Sequence, residues 1–128
     1  MPDNSYTLRG FRIFECAREG PQLRNDRDAV QLIGSAASAG LTEWLLIPTE
    51  RFDSGFFRPS TRIAGEILQK FVTYGRRVAI IGDISAYVSE SSALRDFVYE
   101  CNRGNQIWFV PSAQEFEERL AQQSRPKD

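Results

Sequence analysis

Three features of the 128-residue sequence predict an α/β fold on a largely parallel sheet. Short wholly apolar runs, Trp44-Leu45-Leu46-Ile47, Val78-Ala79-Ile80-Ile81 and Ile107-Trp108-Phe109-Val110, read as strands buried on both faces. Amphipathic helical stretches separate them, which implies right-handed crossovers with helices covering the sheet. Ahead of these units, Tyr6-Thr7-Leu8 and Arg12-Ile13-Phe14-Glu15-Cys16 flank Gly10 and read as an N-terminal β-hairpin. The expected domain has about five strands and four helices, one core and no linker or repeat.

After the hairpin, Glu19-Gly20-Pro21 breaks the pattern, and a first helix fits Asp26 to about Ala39. Asn25 or Asp26 is its cap, Ala29, Leu32, Ile33, Ala36 and Ala37 its buried face, and Gly40 its stop. A polar connection from Thr49 to Pro59 follows the first buried strand; its length marks it as a candidate functional loop. The second helix opens at Ser60 or Thr61 after Pro59. It repeats Ile63, Ala64, Ile67, Leu68, Phe71 and Val72 at the helical period, and ends at Gly75. Glu66 and Lys70 lie four apart in the favourable order, so Glu66 is either half of an exposed pair or a polar residue aimed at a partner. A loop from Ile84 to Glu90 precedes a third helix whose face is Leu94, Phe97, Val98 and Cys101. Ser112 and Glu115 form a capping box for the last helix, with Phe116 and Leu120 pointing inward. The ordered core spans about residues 5–121, leaving loose ends at 1–4 and 122–128.

Composition excludes several kinds of chemistry. The sequence has no histidine, which removes His-assisted triads, His-ligated zinc and imidazole acid–base catalysis. The two cysteines, Cys16 and Cys101, sit among apolar neighbours and are too few for a four-thiolate site, so they read as small core residues. Fourteen arginines face only two lysines, Lys70 and Lys127, neither placed for lysine chemistry. A net charge of −1 argues against nucleic acid, and no apolar run or leader pattern points to a membrane or to export. The expected location is the cytoplasm. No G-x-G-x-x-G or G-x-x-x-x-G-K-[ST] loop occurs, and the last strand lacks the lysine that receiver-domain phosphoacceptor chemistry needs. No cofactor, metal or catalytic residue is therefore assigned.

In open α/β sheets ligands bind beyond the carboxyl ends of the strands, which brings Pro48 to Thr61, Gly82 to Ser92 and Pro111-Ser112 into view. Asp83 directly follows a strand; it either orients a ligand or caps the next turn. Ser60 and Thr61 at a helix start sit in a positive partial field, with Arg58 and Arg62 beside them to pair with a phosphate; structural capping is the alternative. Gly65 inside the helix costs about 1 kcal/mol relative to Ala, an expense that another backbone packed close by would offset. Phe52, Phe56 and Phe57 form either a lid folded onto the core or an apolar contact patch.

The residues Phe56, Phe57 and Thr61, the run Ile63-Ala64-Gly65-Glu66-Ile67-Leu68-Gln69-Lys70-Phe71, the run Ala79-Ile80-Ile81-Gly82-Asp83-Ile84-Ser85 with Tyr87, and the run Asp96-Phe97-Val98-Tyr99-Glu100 with Asn102 resemble the bacterial family of "domain of unknown function 4180". The likeness extends over nearly the whole chain and departs at Arg58, Pro59 and Arg62. It implies kinship and an α/β fold but transfers no activity. A hairpin followed by β/α units, with a hydroxyl-bearing helix start, is also similar in architecture to STAS domains. That likeness implies a non-catalytic switch whose binding surface surrounds the helix start.

The resulting expectation is a protein-interaction or regulatory module. Its surface comprises Phe56, Phe57, Ser60, Thr61, Arg62 and Glu66, with Asp83 nearby. The partner is another protein or a second copy. The alternative is a small-molecule or anion-binding domain, an enzyme included, with Asp83, Arg58 and Arg62 in a pocket at the strand ends.

Overall fold

The computed structural model describes residues 3–40 and 42–123. Strands β1 (Asn4–Leu8) and β2 (Phe11–Glu15) form an antiparallel hairpin whose two-residue turn, Arg9-Gly10, has positive φ at both positions (53° and 84°). That turn geometry matches the natural twist of paired strands. Then come α1 (Asp26–Ser38), β3 (Trp44–Pro48), α2 (Ile63–Thr73), β4 (Arg77–Ile81), α3 (Ser85–Ser89), α4 (Ser92–Arg103), β5 (Ile107–Val110) and α5 (Ala113–Gln122). The sheet order is β1-β2-β3-β4-β5, parallel from β2 onward.

Each parallel strand is laid beside its predecessor in the same direction. Right-handed crossovers therefore put α1, α2 and α4 on one face. Leu45, Ile47, Val78, Ile80 and Phe109 meet those helices in one core cluster. Their neighbours in sequence, Trp44, Leu46, Ala79, Trp108 and Val110, point to the other face and meet Phe116 and Leu120 of α5. Trp44 and Trp108 lie with ring centroids 4.4 Å apart, Phe116 packs edge-on to Trp44 at 5.3 Å, and the Arg119 guanidinium stands 4.2 Å over Trp108.

The local chemistry explains the element ends. Asn25 caps α1 by accepting from the Asp28 amide, and Ser112 caps α5 by accepting from Glu115 at 3.1 Å. After α2, Gly75 takes φ 69°, and the amides of Gly75 and Arg76 donate to the carbonyls of Val72 and Phe71. This is a Schellman stop. The outer side of β5 is closed by Asn102: its side chain accepts from the Phe109 amide at 2.7 Å and donates to the Phe109 carbonyl at 3.2 Å.

Several expectations are corrected. Helix α3 occupies part of the expected loop, giving five α-helices among the described residues. Ala37, at the margin of the α1 apolar stripe, is exposed. The α4 face is as expected, with Leu94 buried and Phe97, Val98 and Cys101 half-buried against the same core. Asp3 and Asn4 are not loose: the Asp3 carboxylate accepts from the Ala17 amide, and Asn4 starts β1. Gln122 belongs to α5, whereas the expected loose residues 1–2 and 124–128, including Lys127, lie outside the described residues.

Candidate functional site

The connection between β3 and α2 is irregular but densely tied. It contains three 3₁₀ turns, Thr49–Arg51, Ser54–Phe57 and Pro59–Thr61. Arg51 is 6% exposed, a costly place for a guanidinium. Its Nε and Nη1 donate to the carbonyls of Pro21 and Ala17, each at 2.9 Å, and Asp3 lies 3.8 Å away. A Cβ at Gly20 would come within 2.9 Å of the Arg51 Cζ, so this glycine lets the guanidinium in. Nothing in the sequence separates Arg51 from the thirteen other arginines.

The three phenylalanines form a lid. Phe52, Phe56 and Phe57 are buried, Phe52 stacks near Phe56 at 4.2 Å, and Phe57 lies parallel to the Tyr87 ring at 4.6 Å. Phe56 (1% exposed) and Phe57 (3%) therefore do not stand out as a contact patch: burying a ring stabilises by about 1.5–3 kcal/mol, and the lid collects that gain three times.

Above the lid, Ser60, Thr61, Arg62 and Glu66 are all exposed. Thr61 is engaged: its hydroxyl lies 2.6 Å from the Gly55 carbonyl and 2.8 Å from that of Arg58, and accepts from the Ile63 amide at 3.2 Å. Its single proton is shared between two carbonyls, so the side chain fastens the turn. The helix start expected at Ser60 or Thr61 lies at Ile63. The cap position is Arg62, in the left-handed region at φ 64° and without a side-chain cap bond, while Thr61 serves the first helical amide from one residue further out. Ser60 has no hydrogen-bond partner among the described residues. The Glu66–Lys70 pair is not formed, consistent with the small gain such an exposed pair offers. Gly65 is also not covered by another backbone, because a Cβ there would meet nothing within 4 Å.

That open space belongs to a groove of about 560 Å³ between α2 and α4. Arg62, Gly65, Glu66 and Gln69 form one wall, Leu94 and Phe97 the other, and Ala64, Phe56 and Pro59 close the apolar floor and end. The groove thus unites Arg62 and Glu66 with the edge of Phe56. Ser60 and Thr61 are not among its lining residues.

Asp83 is elsewhere. It is exposed at the carboxyl end of β4 and accepts from the Ser85 amide at 2.9 Å. That bond holds its carboxyl below the usual range and makes it the cap of the turn into α3. It lines a crevice of about 530 Å³ with Thr49, Gly82, Pro111 and others, among which Arg58 and Arg62 do not occur. The expected cluster of Asp83, Arg58 and Arg62 in one strand-end pocket is therefore not assembled.

Burial pushes the Cys16 thiol up to about 12 and the Cys101 thiol to about 11, which removes both as neutral-pH nucleophiles. Among the described residues no group of three His, Cys, Asp or Glu side chains is placed to hold a metal ion, and no helix is long and apolar enough to cross a membrane.

A family model described as Domain of unknown function (DUF4180) matches residues 8–120. The chain belongs to this family. The match takes in every strand beyond the first turn of the hairpin and nearly all of α5, so the groove and the crevice are both parts of the DUF4180 domain. No curated protein and no solved structure matches the chain.

Proposed function

We propose that this DUF4180 domain is a non-catalytic, cytoplasmic protein-docking module of STAS-like build, and that the groove between α2 and α4 receives an amphipathic helix of a partner protein. One observation carries the reading: Gly65 faces open space in the wall of an apolar groove, where a bare backbone admits close approach of another helix. The intrinsic cost of glycine in a helix finds no return within the chain itself. Arg62 and Glu66, one turn apart and without ion-pair partners among the described residues, supply charges complementary to an acidic and a basic residue one turn apart on an antiparallel helix. The lack of histidine, of accessible low-pKa thiols and of a nucleotide loop supports a binding role over catalysis. Ser60, exposed and unbonded beside Arg58 and Arg62, replaces Thr61 as the hydroxyl whose phosphorylation would alter docking without undoing the turn.

The test places a photo-crosslinking phenylalanine analogue at Gln69 in cells producing the full chain, with and without Gly65→Leu. A discrete protein adduct lost on Gly65→Leu, while the circular dichroism and Tm of the variant are retained, supports the groove. Adducts that persist unchanged in Gly65→Leu, or no adduct at all, reject it.

A further inference from the structure

We infer that the crevice at the carboxyl ends of β4 and β5 binds a small organic cation with an apolar body. This site is separate from the α2–α4 groove and does not depend on it. The argument starts from topology. The connections leaving β2, β3 and β4 all pass to the face that carries α1, α2 and α4, whereas the one leaving β5 passes to the face of α5. Among the parallel strands, β4 and β5 are the neighbours whose connections part to opposite faces. At such a point the departing chains leave a cleft that neither can fill, which is where open α/β sheets bind ligands.

The observed crevice lies there. Gly82 and Asp83 follow β4 on one side, and Pro111 and Ala113 follow β5 on the other. Its floor is Leu46 and Ile81, side chains of the α5 face that lie beyond the start of that helix. Its volume, about 530 Å³, suits a compact organic molecule. Gly82 fixes the shape of the mouth: at φ 149° it lets Thr49 approach so closely that a Cβ would overlap Thr49 Oγ1. The Thr49 hydroxyl has no partner among the described residues.

The charges select the ligand's sign. Among the described residues Arg18 is the one cation in the lining, and it already pairs with Glu50 at 3.2 Å. Glu15 and Asp83 have no counter-charge among the described residues. Their partners are a hydroxyl, that of Tyr6 at 2.9 Å, and the Ser85 amide. An anion meets two carboxylates here, and a cation is welcomed by them. Because these carboxylates are not gathered closely enough to chelate a metal ion, the apolar floor decides for an organic cation.

The experiment is a titration of the isotope-labelled full chain, followed by amide chemical shifts, with 2-phenylethylamine and with 3-phenylpropanoate, matched in size and opposite in charge. The amine is expected to shift Gly82, Asp83 and Ala113 saturably in the millimolar range, and the carboxylate to leave them in place. Combining Glu15→Gln with Asp83→Asn is expected to weaken the amine about fivefold, the order expected for two partly exposed ion pairs. The inference is overturned if the amine gives no saturable shifts, if the carboxylate binds equally well, or if the double variant binds the amine unchanged. It is also overturned if the shifts fall on Gly65 and Phe97 instead.

Discussion

The two faces of the sheet solve the same covering problem with different means. Strands about 4.8 Å apart make a five-strand sheet roughly 20 Å across, while a helix with its side chains is about 10 Å wide. Three helices are more than enough for one face, and the small residues Ala64 and Gly65 leave a groove between two of them. One helix is too few for the other. That face compensates with bulk: Trp44, Trp108 and Phe116 make an aromatic layer under α5, and a crevice remains past the end of the helix. An opening between helices has a long apolar trough suited to another helix. The opening at the strand ends is short and rimmed with polar groups, suited to a small molecule.

If the second face rests on its aromatic layer, Trp108→Ala has the largest effect. It is expected to cost about 3–5 kcal/mol, read as a lower urea midpoint. Hydrogen exchange sharpens the contrast: α5 amides should lose protection in this variant while those of α2 keep theirs, and equal losses on both would make the faces one unit. On the first face, Thr61→Val removes the hydroxyl that fastens the 3₁₀ turns. The expected cost is about 1 kcal/mol by the same measurement, and a loss exceeding that of Trp108→Ala would invert the comparison. Gly65→Ala goes the other way. With nothing within 4 Å of the new methyl group, it should stabilise the free chain by about 0.5–1 kcal/mol, seen as a higher Tm, whereas a destabilisation would show the groove to be less open than described.

Periodicity exposed most of the fold, because apolar runs and amphipathic stripes report the same burial that builds the core. Strands β3, β4 and β5 and helices α1, α2, α4 and α5 follow from it directly. The short α3 was hidden, since a five-residue helix completes no full stripe. The start of α2 was misplaced because Ser60 and Thr61 are good caps by composition, while Arg62 takes the position through backbone conformation, which its side chain does not advertise. At the candidate sites, Arg62 and Glu66 were readable as surface residues near the helix start, but not as two charges on one wall of a groove. Glu15 and Arg18 were not connected with the strand ends: reading β2 as half of a hairpin hid its second role as the first parallel strand. Phe56 and Phe57 show the limit of composition, for three clustered aromatics serve a lid and a contact patch equally well until their neighbours are known.

The amide of Asn102 bears on how sheets of separate molecules can join. By satisfying both backbone groups of Phe109, it acts as a one-residue substitute for a sixth strand and blunts that rim of the sheet against recruitment. Among the described residues, the rim at Asn4–Leu8 is the longer one left uncovered. A ribbon that lengthens without limit needs two free rims on every molecule. Joining through the Asn4–Leu8 rim alone ends at a pair.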